Sequence, residues 1–417
     1  MISLRVRIGV LGLALLGGLT APASGSAAAA SAPAPTAEER RLDGAVPREI
    51  LRRSGFDAPV AGFARGLAAS HSYAQARRTV EREGAALWRR AVDRAQGRGP
   101  AGGDLSRDDD RPLYWARLAM TREVRTLEAR FALGERRRAA LLDVLERTSR
   151  GQSDLRSARG AAVRRVLVTG FDPFTLDRDI RISNPSGATA LALDGTVIET
   201  AAGPARVETA VFPVRWRDFA AGTVERALRP YLRRADLFTT VSQGRVGRFD
   251  VERTNGAWRG GFPDNENVSR TETVPVADPA SQPQWTTTTL PYEEIAAAGT
   301  GRFPVYDNTA VTEIPAGGTR PVARPDGPTP GSTARAGAGG DYLSNEIAYR
   351  ATLLRDRMGL RDVLPGGHVH TPVLQFGAGN TDPATGAVTD AEFVRNRRDI
   401  VTQMRAIVAT AVGATAS

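Results

Sequence analysis

The sequence predicts an α/β protein: a three-layer α/β/α fold on a largely parallel twisted sheet, preceded by a small all-α N-terminal region. Three observations predict it. From residue 163 onward, β-branched runs alternate with helix-length segments, which is the grammar of βαβ units. Residues 38–160 carry helical periodicity instead. Hydrophobic residues make up 41% and charged residues 24% of the 417, a globular balance that excludes a disordered or collagen-like chain.

Taken in order, residues 1–30 read as a secretory signal peptide. Arg5 and Arg7 precede an apolar stretch over 8–19 that is too short to span a bilayer, and small residues follow over 21–30. The expected location is secreted or extracytoplasmic, with no transmembrane span after signal removal. An Ala/Pro/Ser linker occupies 31–37 and a helical Arg-rich domain 38–160. Within that domain, helices are expected over 75–98, 113–131 and 135–150. Tyr114, Leu118, Val124, Leu127 and Phe131 fall close to one face of the middle one. Gly/Asp-rich residues 99–110 break the pattern and 151–160 close it. No catalytic constellation is found there, so an α/β domain over 161–417 is expected to fold and act without it.

In that second region, strands are expected over 163–171, 207–214, 237–241, around 304–306 and over 368–375. Helices are expected over 216–235, 344–358 and 391–412, and 310–337 reads as a Pro/Gly/Thr-rich loop insertion at the surface. Parallel sheets of this kind carry their sites at the C-terminal ends of the strands.

Composition narrows the chemistry. There is no cysteine, which removes disulfides, thiolate metal sites and cysteine nucleophiles. No lysine is present either, which excludes Schiff-base chemistry. Three histidines, His71, His368 and His370, are too few for a multi-histidine metal centre, and no metal or organic cofactor is implied. The net charge of +10 is concentrated: residues 38–165 hold 28 arginines against 18 acids, while the chain beyond is near neutral. Those arginines alternate with acids, as on solvated helix faces, and no aromatic-interleaved groove accompanies them, so nucleic acid is not an expected partner. An anionic surface is the partner that charge would suit.

Four segments stand out after residue 163. They are Thr169-Gly170-Phe171-Asp172-Pro173-Phe174 with Asn184-Pro185-Ser186 downstream; residues 244–255 followed by Pro263-Asp264-Asn265; Gly340-Asp341-Tyr342-Leu343-Ser344-Asn345; and Gly367-His368-Val369-His370-Thr371-Pro372. Together and in this order they resemble the pyroglutamyl peptidases (pyrrolidone-carboxylate peptidases), a family of cysteine peptidases, over roughly residue 163 to the C-terminus. The resemblance implies hydrolysis of peptides with N-terminal pyroglutamate by a Glu/Cys/His triad on an α/β/α fold. Residue by residue, Glu252 takes the glutamate position, His370 the histidine and Ser344 the cysteine. Phe171 and Phe174 take the positions of the phenylalanines that pack on the substrate lactam, and Asn184 joins them as a substrate-binding candidate. The arginine usual two residues before the proline of Pro263-Asp264-Asn265 is replaced by Gly261. That leaves Arg259 or Arg248 as candidates for charge stabilisation.

The residues themselves leave alternatives open. Ser344 precedes a helix, where free amides and the dipole stabilise an anion, but serine is also a preferred N-cap. His370 sits at a strand–loop junction where a base could face a nucleophile, yet His368 two residues earlier points the same way. Glu252 between Asp250 and Arg253 reads equally as an exposed ion-pairing residue, and both phenylalanines as core. A serine must lose its proton in step with attack, so it leans on base and oxyanion hole more than a thiol does. The reading taken forward is a secreted Ser/His/Glu pyroglutamyl peptidase. Its alternatives are a lapsed peptidase that binds pyroglutamyl or related N-termini, and a cell-envelope interaction protein led by the Arg-rich helices.

Overall fold

The computed structural model describes residues 33–155 and 163–415. The expected signal peptide, the start of the linker and the expected boundary at 160/161 lie outside the described residues.

At the centre is a seven-stranded sheet built from β1 (Arg164–Phe171), β2 (Val197–Thr200), β3 (Gly203–Phe212), β4 (Leu237–Gln243), β5 (Phe249–Glu252), β6 (Val305–Asn308) and β7 (Gly366–Thr371). Its order is β6-β5-β7-β4-β1-β3-β2. The inner strands β7, β4, β1 and β3 run parallel, β2 and β5 are antiparallel to their inner neighbours, and β6 is parallel to β5. Buried runs such as Val166, Leu167 and Val168 in β1 are what a sheet covered on both faces requires. After β1 the chain builds β2 and β3 on one side of it, and after β3 it moves to β4 on the other side of β1. The crevice between the C-terminal ends of β1 and β4 is therefore the switch point at which such sheets bind ligands.

Helices cover the faces as expected. The helix α6 (Pro185–Leu193) starts at the N-cap Asn184, whose side chain accepts from the Ser186 amide, with Pro185 in the first turn. On the other face lie α7 (Thr223–Leu232) and α8 (Leu343–Arg357), whose Ile347, Ala351 and Leu354 pack with Phe238 of β4. The closing helix α9 (Ala391–Ala414) is capped by Asp390, which accepts from the Phe393 amide at 2.8 Å. The expected helix over 216–235 is two, Trp216–Ala220 and Thr223–Leu232, separated at Gly222, whose φ is 73°.

Residues 310–337 correct the loop expectation. They form a three-stranded antiparallel sheet, Val322–Arg324, Val311–Ile314 and Thr333–Ala336, centred on buried Glu313. The Glu313 carboxylate accepts from the amide and hydroxyl of Thr329 and from Arg324, so a polar, Pro/Gly-rich segment is organised by side-chain bonds rather than by apolar periodicity.

The N-terminal region is helical, with α1 (Ala45–Ser54), α2 (Asp57–Ala68), α3 (Tyr73–Ala95), α4 (Arg111–Thr126) and α5 (Glu135–Thr148). Its core of Ile50, Phe63, Trp88, Trp115 and Leu145 continues without a break into Ala190 and Leu191 of α6 and Val211 of β3. Residues 33–417 form one compact unit, so the helical layer is not the separable attachment that its lack of catalytic motifs implied. No helix among the described residues is long and apolar enough to cross a membrane.

Candidate functional site

A narrow cleft of about 30 Å³ opens at the switch point. Phe171 lines it from the end of β1 and Phe174 from the turn that follows, Ser242 and Gln243 from the end of β4, and Tyr342, Leu343 and Ser344 from the start of α8, with Asn184 and Val214 completing the wall. Gly170 is required where β1 meets α6, because a Cβ there would lie 2.3 Å from the Ser186 carbonyl oxygen. Phe171 stacks on Phe219 with centroids 6.0 Å apart. Phe174 leans on Tyr342 at 6.1 Å, and Tyr342 meets Trp216 and Phe262 edge-on at 5.2 Å each. Burial pushes the Tyr342 phenol well above its usual range, with Asp264 and Glu38 adding to the effect. Its hydroxyl donates to the Pro263 carbonyl at 3.0 Å.

Beside the cleft, Nδ1 of His370 lies 2.7 Å from Oε1 of Glu252. Both residues are buried, the glutamate fully. The second carboxylate oxygen accepts from Asn308 Nδ2 at 2.7 Å, and that amide also donates to the Ala338 carbonyl at 2.9 Å. Strand register explains the grip. Glu252 pairs with Asn308 across β5–β6, and the antiparallel β5–β7 pairing sets His368 and His370 opposite Glu252 and Asp250. The carboxylate reaches His370 rather than its direct partner His368, whose Nδ1 instead lies 2.7 Å from Thr240 Oγ1. Burial, and then the neighbouring His370, hold the His368 imidazole well below its ordinary range, and the two rings meet edge-on at 4.6 Å.

Ser344 is the second residue of α8. The N-cap is Tyr342, which makes no side-chain cap, so the first-turn amides have no side-chain cap from it and Ser344 is not the helix cap. The Ser344 hydroxyl donates to the Gly339 carbonyl at 3.3 Å. Gly339 is also the neighbour of the imidazole: a Cβ there would lie 2.9 Å from His370 Cε1 and 3.6 Å from Glu252 Cγ. Gly244 closes the other side of the ring, where a Cβ would lie 2.6 Å from the His370 Cβ. The four sequence segments thus converge on one place, with Ser344, His370 and Glu252 gathered around Gly339.

The remaining candidates are placed differently. Asn184 lines the cleft, but its side chain accepts from Ser186 and donates to the Asp172 carbonyl at 2.9 Å. Arg259 is turned away, its guanidinium held by both oxygens of Glu346 at 2.7 and 2.6 Å and lying over Trp216. Arg248 pairs with Asp250 and stacks on Tyr306. Neither arginine lines the cleft. Gly261 has a φ of 92°, a left-handed backbone that favours glycine over arginine, and a Cβ there would lie 2.5 Å from Thr271 Oγ1. Sequence reasoning missed Asn308, Gly339 and Gln243. Gln243 and Gly339 could have been found from their positions directly before the 244–255 and 340–345 segments; Asn308 carries no local signal.

Two family models and a curated relative agree on one family. The model described as the PA0049 N-terminal domain matches residues 20–146, and the PA0049 C-terminal domain matches residues 165–279 and 303–375. The uncharacterized protein PA0049 of Pseudomonas aeruginosa is 34% identical over 490 aligned positions, covering 89% of this chain and 88% of that one. Among solved structures, a mutant pyrrolidone carboxyl peptidase from Pyrococcus furiosus is 22% identical over 59% of this chain and 97% of its own, with a TM-score of 0.41. Pyroglutamyl peptidase I from Bacillus amyloliquefaciens is 21% identical over 60% and 97%, with a TM-score of 0.39. Matched over both of its halves, the chain belongs to the PA0049 family.

Proposed function

We propose that the chain is an extracytoplasmic hydrolase that removes N-terminal pyroglutamyl residues from peptides. Ser344 is the nucleophile, His370 the base and Glu252 the residue that orients the imidazole. The observation that carries the reading is the buried Glu252–His370 pair standing with Ser344 around Gly339 at the edge of an aromatic cleft. With the carboxylate accepting from Nδ1–H, the Nε2 lone pair is left for the serine proton. Ser344 Oγ rotates from Gly339, attacks the pyroglutamyl carbonyl carbon and passes its proton to Nε2, while the displaced electron pair collects on the carbonyl oxygen near the α8 amides. Collapse breaks the C–N bond, the departing amine takes the proton from Nε2, and water activated by the same imidazole hydrolyses the acyl ester. The lactam is flat and uncharged, which suits the apolar walls of Phe171 and Phe174.

Two observations favour the non-cutting alternative. The Ser344 hydroxyl is bonded to Gly339 rather than to His370, and no arginine lines the cleft. Two peptides that differ only in beginning with pyroglutamate or with proline separate the readings. Release of the first residue from the pyroglutamyl peptide alone is the expected result; binding of that peptide without release contradicts hydrolysis. Export rests on the pattern of residues 1–30, and a mature N-terminus near residues 28–30 in the exported protein is its test.

A further inference from the structure

The end of β1 and the turn after it, which carry Phe171 and Phe174, are held from outside the sheet. Asp172, between Phe171 and Phe174, is buried, and its carboxylate accepts from Arg117 of α4 and, at 2.5 Å, from Arg150 just beyond α5. From Arg150 a chain of ion pairs continues to Glu146 at 2.7 Å, from Glu146 to Arg215 at 2.9 Å and from Arg215 to Glu38 at 3.2 Å. Glu38 then accepts from Tyr114 at 2.9 Å and from Asn265 Nδ2 at 3.2 Å. The same Asn265 amide donates to the Pro173 carbonyl at 2.9 Å. The circuit therefore leaves the turn at Asp172 and returns to it at Pro173. Three guanidiniums meet four carboxylates along it, because Arg215 also pairs with Asp218 at 2.8 Å. Burial pushes Glu146 up, yet Arg215, Arg150 and Arg117 outweigh it and hold that carboxyl below its ordinary range.

A largely buried circuit of ion pairs is a poor source of stability and a good device for fixing register. Here it ends on a short turn whose two rings must keep a set spacing. Binding groups on turns need that second layer of support, because a displacement of about 0.5 Å already matters.

We propose that the helical layer is the positioning element of the cleft: Arg117 and Arg150 grip Asp172, and Glu38 holds Asn265 against Pro173, so that Phe171 and Phe174 stand at a fixed separation. This rests on reading the cleft as the pyroglutamyl site. None of these residues touches the reacting atoms, so all act through the turn.

The test uses the full chain with Arg117→Met and the milder Arg117→Lys, each followed by hydrogen exchange and by kinetics on a pyroglutamyl amide. In Arg117→Met, exchange over residues 171–176 is expected to speed up about tenfold, while β4 stays protected. KM is expected to rise several-fold with kcat within twofold, and Arg117→Lys to recover part of both. Unchanged exchange over 171–176, or an even loss of protection across the sheet, overturns the proposal. If Arg117→Met does not fold, the same comparison is read from Arg117→Lys. Should the unmodified chain fail to cleave while exchange still changes locally, the brace stands and the hydrolase reading falls.

Discussion

Gly339 is where the candidate reacting groups meet, so it offers the sharpest test at the residue scale. Its carbonyl takes the Ser344 hydroxyl, and its missing side chain leaves room for the His370 ring. Gly339→Ala places a methyl 2.9 Å from Cε1 and should displace the imidazole. The expected outcome is a fall of about a hundredfold in cleavage of a pyroglutamyl amide, with the melting temperature little changed. The two histidines separate in the same way. His370→Ala should lower the rate by about 10²–10⁴, whereas His368→Ala should lower stability and leave most of the turnover. His368 is buried, bonded to Thr240 and kept neutral by its surroundings, and nothing in its geometry offers it to Ser344. Equal kinetic losses in the two variants would contradict this assignment.

Helix α8 carries the nucleophile candidate, and at the scale of the element its anchoring decides where Ser344 stands. Glu346, one turn in, receives Arg259 and Arg350, all three buried. Arg259→Met leaves that carboxylate short of a partner and should cost about 3–5 kcal/mol in urea unfolding. If Arg259 served the transition state instead, the loss would appear in kcat. At the end of α6, burial raises the Asp194 carboxyl to about 6 from an unfolded value of 3.8. Because the folded value is the higher one, the charged form opposes folding. Its effect is absent below about pH 4, grows through pH 6 and is constant above. Between pH 4 and pH 7, Asp194→Asn should gain about 2–3 kcal/mol relative to the unmodified chain, read from urea midpoints at the two pH values. A difference independent of pH contradicts the raised value.

For the whole molecule, the periodic parts were legible. Strands β1, β4 and β7 and helices α8 and α9 lie within a few residues of where hydrophobic patterning puts them. The failures share a cause. Four-residue β5 carries Glu252 but owes its place to pairing with β6 and β7, partners more than 50 residues away. Asn308 enters the site only through that pairing. The 310–337 sheet is built on side-chain bonds to Glu313, which leave no periodic trace. The motifs named Ser344, His370 and Glu252 but said nothing of the helical layer, whose contribution is a buried ion circuit spanning residues 38–265. A chain beginning at residue 161 exposes Leu176, Ala190, Leu191 and Val211 and strips Asp172 of both arginines. It is expected to be insoluble or to lack cleft binding; a soluble, fully active fragment would contradict the shared core. The central claim is that Ser344 is a working nucleophile. Its most direct test is the rate of pyroglutamyl-amide cleavage by the unmodified chain, Ser344→Ala and Ser344→Cys under reducing conditions. The account expects activity in the unmodified chain, none in Ser344→Ala and more in Ser344→Cys. Equal cleavage by the unmodified chain and Ser344→Ala, or cleavage only after the thiol is supplied, contradicts it.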